Sequence, residues 1–207
     1  MNQSHKDAIY SISQNYLNNC KPLLEILKVR TKGKYPKNCL NEIRAINDHV
    51  ARCYRDRITT DEITKELGKA EGHLQRLTYD CYKQLIIYQV SDIRHTIKWF
   101  YSSSWPRIGG GELWRVYISK FKQARQAEKN AKYSESINPD IALGYYDFAY
   151  NSYQDILYIF KKYEWQIRLS AVLKFLERIK NGLFWLITTF VLAIISAILA
   201  GLGIFEI

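Results

Sequence analysis

Apolar side chains recur at three- and four-residue spacings along almost the whole chain, the pattern of helices that bury one face. The spacing predicts a first helical region over about Ser4–Val29, which Pro22 kinks or splits because proline removes a backbone donor. A basic loop, Arg30–Lys37, precedes a helix expected over about Cys39–Arg57. Thr60 reads as the N-cap of the next helix, with Asp61 and Glu62 in a first turn whose dipole favours acids. From there to Tyr101 no proline interrupts the spacing, although Gly68 and Gly72 weaken it; about 40 residues of helix measure about 60 Å. The clearest loop is Ser102–Gly111, and a basic helix over about Glu112–Ser136 follows it. Asn138-Pro139-Asp140 ends that helix, since proline suits a first helical turn and disfavours helix in the residue before it. The last helix is expected to run unbroken from about Asp140 into the C-terminal segment. No stretch alternates in the manner of a strand, so the fold class is all-α: a helical bundle with long helices, followed by one transmembrane helix.

That C-terminal segment is apolar all round. No charge falls between Leu183 and Phe205, and about 20 apolar residues suffice to cross a bilayer core. The competing reading is a buried core helix. Two parts are expected, a helical domain over 1–181 and a membrane-spanning helix over 182–207. Lys174, Arg178 and Lys180 precede the span and nothing basic follows it, which places the large domain in the cytosol. No apolar stretch lies near Met1, so no secretory signal is expected. Leu169, Val172, Leu176, Ile179, Leu183, Leu186, Phe190, Ala193, Ala197 and Ala200 form a heptad-like seam that enters the span and turns small within it. Thr189, Ala193, Ala197 and Gly201 add a small-residue ladder of the kind that lets helices approach closely. Leu186, Thr189, Phe190, Ala193, Ala197 and Gly201 are therefore the candidate pore or oligomer interface; the alternative is a plain anchor with chance alanines.

The 30 Lys and Arg against 20 Asp and Glu give a formal charge of +10. This favours anionic partners, whether nucleic acid, nucleotide or membrane headgroups, and it fits equally a domain that merely tracks a lipid surface. Four cysteines without Cys-x-x-Cys spacing read as reduced thiols on helix faces. The 16 Tyr and 5 Trp suit helix interfaces and base stacking alike.

A short motif occurs twice. Glu42, His49, Arg52 and Asp56 follow Glu-x6-His-x2-Arg-x3-Asp, and so do Glu66, His73, Arg76 and Asp80. Helical geometry puts each set on one stripe of successive, antiparallel helices. Either the stripes satisfy each other as a structural network, or His49, Arg52, His73 and Arg76 face a cavity and bind an anion while the acids hold the guanidinium forks. The spacing is not that of a usual metal-ligand pair, and no metal is expected. Lys120, Lys122, Arg125, Lys129 and Lys132, interleaved with Tyr117, Phe121 and Tyr133, form a second basic surface that suits a single-stranded backbone, lipid headgroups or simply water. Gly109-Gly110-Gly111 ahead of a helix reads as a flexible loop or a phosphate cradle opposed by Glu112. His5 and His95 are expected at the surface or in packing. No Walker loop, dinucleotide fingerprint, Gly-x-Ser-x-Gly elbow or zinc motif is present, so no catalytic residue or cofactor is expected and the chain is not read as an enzyme.

With His–Arg-bearing helices (Asp48-His-Val-Ala-Arg-Cys-Tyr54 and Lys69-Ala-Glu-Gly-His-Leu-Gln-Arg76) ahead of one C-terminal span, the chain resembles the membrane effectors of bacterial anti-phage systems, most closely the Hailong-type effector. The likeness in architecture covers the whole chain, and the likeness in sequence lies in those two helices. It implies a homo-oligomeric, tetrameric channel in the bacterial inner membrane, with a nucleotidyltransferase partner whose oligonucleotide product binds the cytosolic domain and keeps the channel closed until infection releases it. No residue-level binding motif carries over. Together these readings point to a ligand-gated effector that depolarises the membrane and arrests growth, with an anionic nucleotide or short oligonucleotide at His49, Arg52, His73 and Arg76 and a second contact at Lys120, Arg125 and Lys129. A tail-anchored adaptor that recruits a cytosolic partner is the alternative, and a membrane-tethered enzyme the third reading.

Overall fold

The computed structural model describes residues 2–100 and 105–201. Among them the chain is all-α: α1 Gln3–Asn15, α2 Lys21–Arg30, α3 Lys37–Arg52, α4 Thr60–Phe100, α5 Glu112–Ser134, α6 Pro139–Lys162 and α7 Glu164–Gly201. The ends are set by local chemistry. The side chain of Asn2 accepts from the His5 amide and starts α1. A π turn over Tyr16–Cys20, closed by the Lys21 amide on the Tyr16 carbonyl, joins α1 to α2, and Pro22 falls in the first turn of α2 directly after it. The Gly33 amide (φ +87°) closes α2 on the Lys28 carbonyl at 2.8 Å. The N-cap of α4 is Thr59, one residue before the expected Thr60. Glu62 reaches back to the Thr59 amide at 2.8 Å and the Glu62 amide donates to the Thr59 hydroxyl at 3.3 Å, a reciprocal capping box. Asn138 caps α6 through the Ile141 amide, with Pro139 as its first residue, as expected.

Two expectations are corrected. The third helix ends at Arg52 rather than near Arg57, and the chain turns there with Arg57 at φ +57°. The last helix is not continuous from Asp140, because it is interrupted at Tyr163, between α6 and α7. The reason is tertiary. The Tyr163 hydroxyl donates to Glu112 at the start of α5, where Lys162 also reaches the carboxylate at 2.9 Å. The Tyr163 ring meanwhile lies over Gly109, where a Cβ would come within 2.3 Å of it.

The chain divides into two compact units, Met1–His95 with Val116–Ile159, and Thr96–Arg115 with Phe160–Ile207. The first is built around α4. Its positions Ile63, Leu67, Ala70, Leu74, Leu77, Cys81 and Leu85 follow each other at threes and fours, and all are buried in one cluster with Leu23, Leu24 and Leu27 of α2 and Cys39 and Ile46 of α3. This continuous seam carries α4 past Gly68 and Gly72, each of which weakens an isolated helix by about 1 kcal/mol. On the other side of α4, Tyr79 donates to the Pro139 carbonyl, Tyr82 to Asp147 at 3.0 Å and Lys83 to Glu135 at 3.1 Å. The small Ala124, Ala127 and Ala131 of α5 are buried, as are Tyr146 and Tyr153 of α6. Those tyrosines end on carboxylates, Tyr153 on Glu128 of α5 and Tyr146 on Glu135 in the turn just after it.

In the second unit Trp105, Ile108, Leu113, Phe160 and Ile167 are buried, with the Trp105 and Phe160 rings meeting edge to face at 5.6 Å. The helix α7 is long and apolar enough to cross a membrane over Arg178–Ile198, and none of its apolar window is buried against the protein. Its two threonine hydroxyls are satisfied within the helix, the arrangement a lipid-facing helix requires: Thr189 donates to the Trp185 carbonyl at 2.7 Å and Thr188 to those of Phe184 and Trp185. Leu202–Ile207, the end of the expected span, and Tyr101–Ser104 of the expected loop lie outside the described residues.

Candidate functional site

The duplicated motif folds into a crossed pair between α3 and α4. His49 Nδ1 lies 2.7 Å from Glu66 Oε2, and His73 Nδ1 lies 2.8 Å from Glu42 Oε2. Each histidine thus bonds the glutamate of the other motif, as antiparallel helices carrying the same stripe dictate. An ionised carboxylate only accepts, so His49 donates from Nδ1, whereas His73 Nδ1 sits between the Glu42 carboxylate and the Arg76 Nη2 donor, 2.9 Å away. The two imidazoles stack between the glutamates, centroids 5.1 Å apart and planes 23° apart. Arg52 stands 3.7 Å from Glu66, and Arg76 Nε donates to Glu42 at 3.3 Å.

The two halves differ in two respects. Lys69 donates to Glu66 at 2.7 Å, a contact one turn away that the motif does not contain. The hydrogen bonds from Lys69 and then from His49 pull the Glu66 carboxyl down to about 2. The terminal aspartates also part company. Asp80 stays on its helix, accepts from Asn38 at 3.3 Å, and is pushed above the ordinary carboxylate range chiefly by burial. Asp56 lies beyond the end of α3 and leaves the stripe, which corrects the expectation that all four positions of each motif line up.

The geometry is that of a braced hairpin. Both glutamates and both histidines are largely enclosed, whereas the Arg52 and Arg76 side chains are 50% and 55% exposed. Charge that an incoming anion can reach resides on those two guanidinium groups and on the Lys69 ammonium, whose side chain is 42% exposed. No group of three or more His, Cys, Asp or Glu positioned to hold a metal ion occurs among the described residues.

The second basic surface is partly committed to structure. Lys120 pairs with Asp155 at 2.7 Å and Arg125 with Glu128 at 3.5 Å, while Lys129 is exposed without an ion pair among the described residues. Of the interleaved aromatics, Phe121 is engaged, edge-on against Tyr153 at 5.8 Å and tilted against Tyr117 at 5.6 Å, whereas Tyr133 is exposed. Gly109 is part of the joint under Tyr163 rather than an open phosphate cradle. Its amide donates to Gln166 at 3.3 Å, and Glu112, at the helix start, is held below its usual range first by the Tyr163 hydroxyl and then by Lys162. His5 is buried and bonds Thr64 at 3.2 Å. The four cysteines are free thiols in the core, as expected.

On α7, Leu186, Thr189, Phe190, Ala193 and Ala197 are not buried, and none of the helix's apolar window is buried among the described residues. Gly201 ends the helix, and its surroundings lie outside the described residues. No family model, curated protein or solved structure matches the chain.

Proposed function

We propose that the chain is an oligomeric membrane effector of bacterial anti-phage defence, its helical domain on the cytosolic side, in which an anionic nucleotide or oligonucleotide controls conductance through the assembled spans. One observation carries the reading. The exposed apolar face of α7 begins well before its charge-free segment. Leu169, Val172 and Leu176 are 44%, 53% and 53% exposed, in a stretch flanked by Arg168 and Arg178 and ahead of the Arg178–Ile198 segment that lipid would cover. Burying apolar surface is worth about 25 cal/mol per Å², so a seam left bare on both sides of a membrane boundary is a seam for other copies of α7. A simple anchor has no use for the part in water.

Arg52 and Arg76 are the best placed input. An anion that competes with Glu66 and Glu42 for them would loosen the α3–α4 brace and shift the balance between two arrangements of the hairpin. The likeness to the Hailong-type effector supplies the direction of control and the partner nucleotidyltransferase.

The test is inner-membrane potential in cells expressing the chain alone, with its partner nucleotidyltransferase, and during infection. Depolarisation that depends on the partner supports the reading, and a potential unchanged in every condition overturns it. The adaptor reading draws on exposed aromatics of the first unit, Tyr133 and Tyr158. It predicts that an unrelated span in place of residues 183–205 preserves function.

A further inference from the structure

A cleft of about 440 Å³ opens where the end of α1 and the π turn meet α4 and α6. Asn15, Asn18, Asn19 and Pro22 recur at threes and fours along its first wall, the spacing at which a packed helix normally carries apolar residues. All three asparagines are exposed, so the wall presents a row of amides along the open side of the cleft. It also includes the π turn, a distortion found preferentially at functional positions.

The amides are not equivalent. Asn19 donates to Asn15 at 2.6 Å, which occupies that pair with each other. Asn18 of the first wall and Gln75 of α4 make no side-chain hydrogen bond among the described residues. On the third side, Asp147 accepts from Tyr82 and from Asn151, both at 3.0 Å. Leu23 and Leu143 supply apolar surface. No lysine or arginine lines the cleft, so it offers a phosphate only the repulsion of Asp147.

Gly144 of α6 completes the wall. A glycine in a helix interior is less favourable than alanine by about 1 kcal/mol, and a Cβ at Gly144 would meet nothing within 4 Å. The position is exposed and leaves open space against which a molecule in the cleft can lie.

From these features we infer that the cleft is a binding site for an uncharged nucleobase. A side-chain amide presents a donor and an acceptor in one plane, which matches the paired edge of a base. Two such amides, from Asn18 and Gln75, read the edge. Leu23, Leu143 and the bare Gly144 wall take the ring faces, and Asp147 accepts from a sugar hydroxyl or an exocyclic amine. The inference stands apart from the His–Arg stripe, since an uncharged nucleoside gains nothing from Arg52 or Arg76.

The experiment is calorimetric titration of the full chain in nanodiscs with adenosine, guanosine, cytidine and thymidine, and with glucose as a hydroxyl-rich comparison. At least one nucleoside binds. Its affinity falls about tenfold in Asn18→Ala/Gln75→Ala, the loss expected when a bidentate amide contact is removed. It falls similarly in Gly144→Leu, which fills open space without disturbing the chain, as an unchanged circular dichroism spectrum and melting temperature establish. Arg52→Ala/Arg76→Ala leaves it unaltered. Absence of nucleoside binding, equal binding of glucose, indifference to the Asn18, Gln75 and Gly144 variants, or loss in the arginine variant each overturns the assignment.

Discussion

His49 and His73 stack face to face at 5.1 Å, and each meets through Nδ1 the glutamate that accompanies the other in sequence. The pairing gives the α3–α4 hairpin a local two-fold relation, with the imidazole stack at its centre and a carboxylate and a guanidinium group on either side.

Glu66 makes that relation sensitive to acid. Its carboxyl titrates near 2 in the folded chain, below the ordinary value near 4.5. A depressed folded value contributes stability that is fully present above the unfolded value and is lost as pH falls through the folded one. The difference in melting temperature between the wild type and Glu66→Gln is therefore constant above about pH 5 and closes between about 4.5 and 2. Thermal unfolding followed by circular dichroism at stepped pH measures it.

The tyrosine–carboxylate contacts between α5 and α6 are tested with Tyr153→Phe. Burial, then the bond to Glu128, pushes the Tyr153 hydroxyl well above its ordinary range, so at any physiological pH it donates as a neutral group. Removing it leaves Glu128 with Arg125 as its remaining partner and destabilises the first unit by about 1–3 kcal/mol. Urea denaturation shows a lower midpoint with an unchanged slope.

Neighbouring glycines separate strain from collision. Gly109 and Gly110 both have positive φ, +58° and +63°, but only Gly109 lies under the Tyr163 ring. Gly110→Ala lowers stability by about 1 kcal/mol, the ordinary penalty of a left-handed alanine. Gly109→Ala adds a clash at 2.3 Å that the ring must vacate, and frees Tyr163 from Glu112. Limited proteolysis near residue 163 accelerates in Gly109→Ala and not in Gly110→Ala.

On the span, Ala197→Leu thickens the small-residue ladder and Val191→Leu changes a position off the seam. If copies pack along the ladder, the first variant lowers the oligomer mass in detergent and abolishes depolarisation, whereas the second leaves both intact. Crosslinking followed by mass analysis reports the assembly, and a voltage-sensitive dye reports conductance.

Local patterns made much of this readable in advance. Asn138-Pro139 started a helix where expected, and the seam of α4 outweighed two glycines. The Glu–His pairing of the two motifs follows from their equal spacing, once the helices are taken as antiparallel. What stayed hidden depends on residues far apart in sequence. Nothing near Tyr163 marks a helix break, because its cause is Glu112 and Gly109, some fifty positions away. The tyrosine–glutamate contacts of α5 and α6 were equally invisible, since neither residue type announces its partner. Asp56 looked equivalent to Asp80, and only the early end of α3 separated them. The amide row at Asn15, Asn18 and Asn19 was legible as spacing, but its meaning needed the hollow in front of it.

The crossed arrangement also bears on how copies of the chain meet. Because the two motifs exchange equivalent bonds, α3 of one molecule offers α4 of another the same partners it offers its own. Pairing within one chain is favoured by the effective concentration that the short connection from Cys53 to Thr59 sets, and the Lys69 contact that Glu66 alone receives keeps the two halves from being interchangeable.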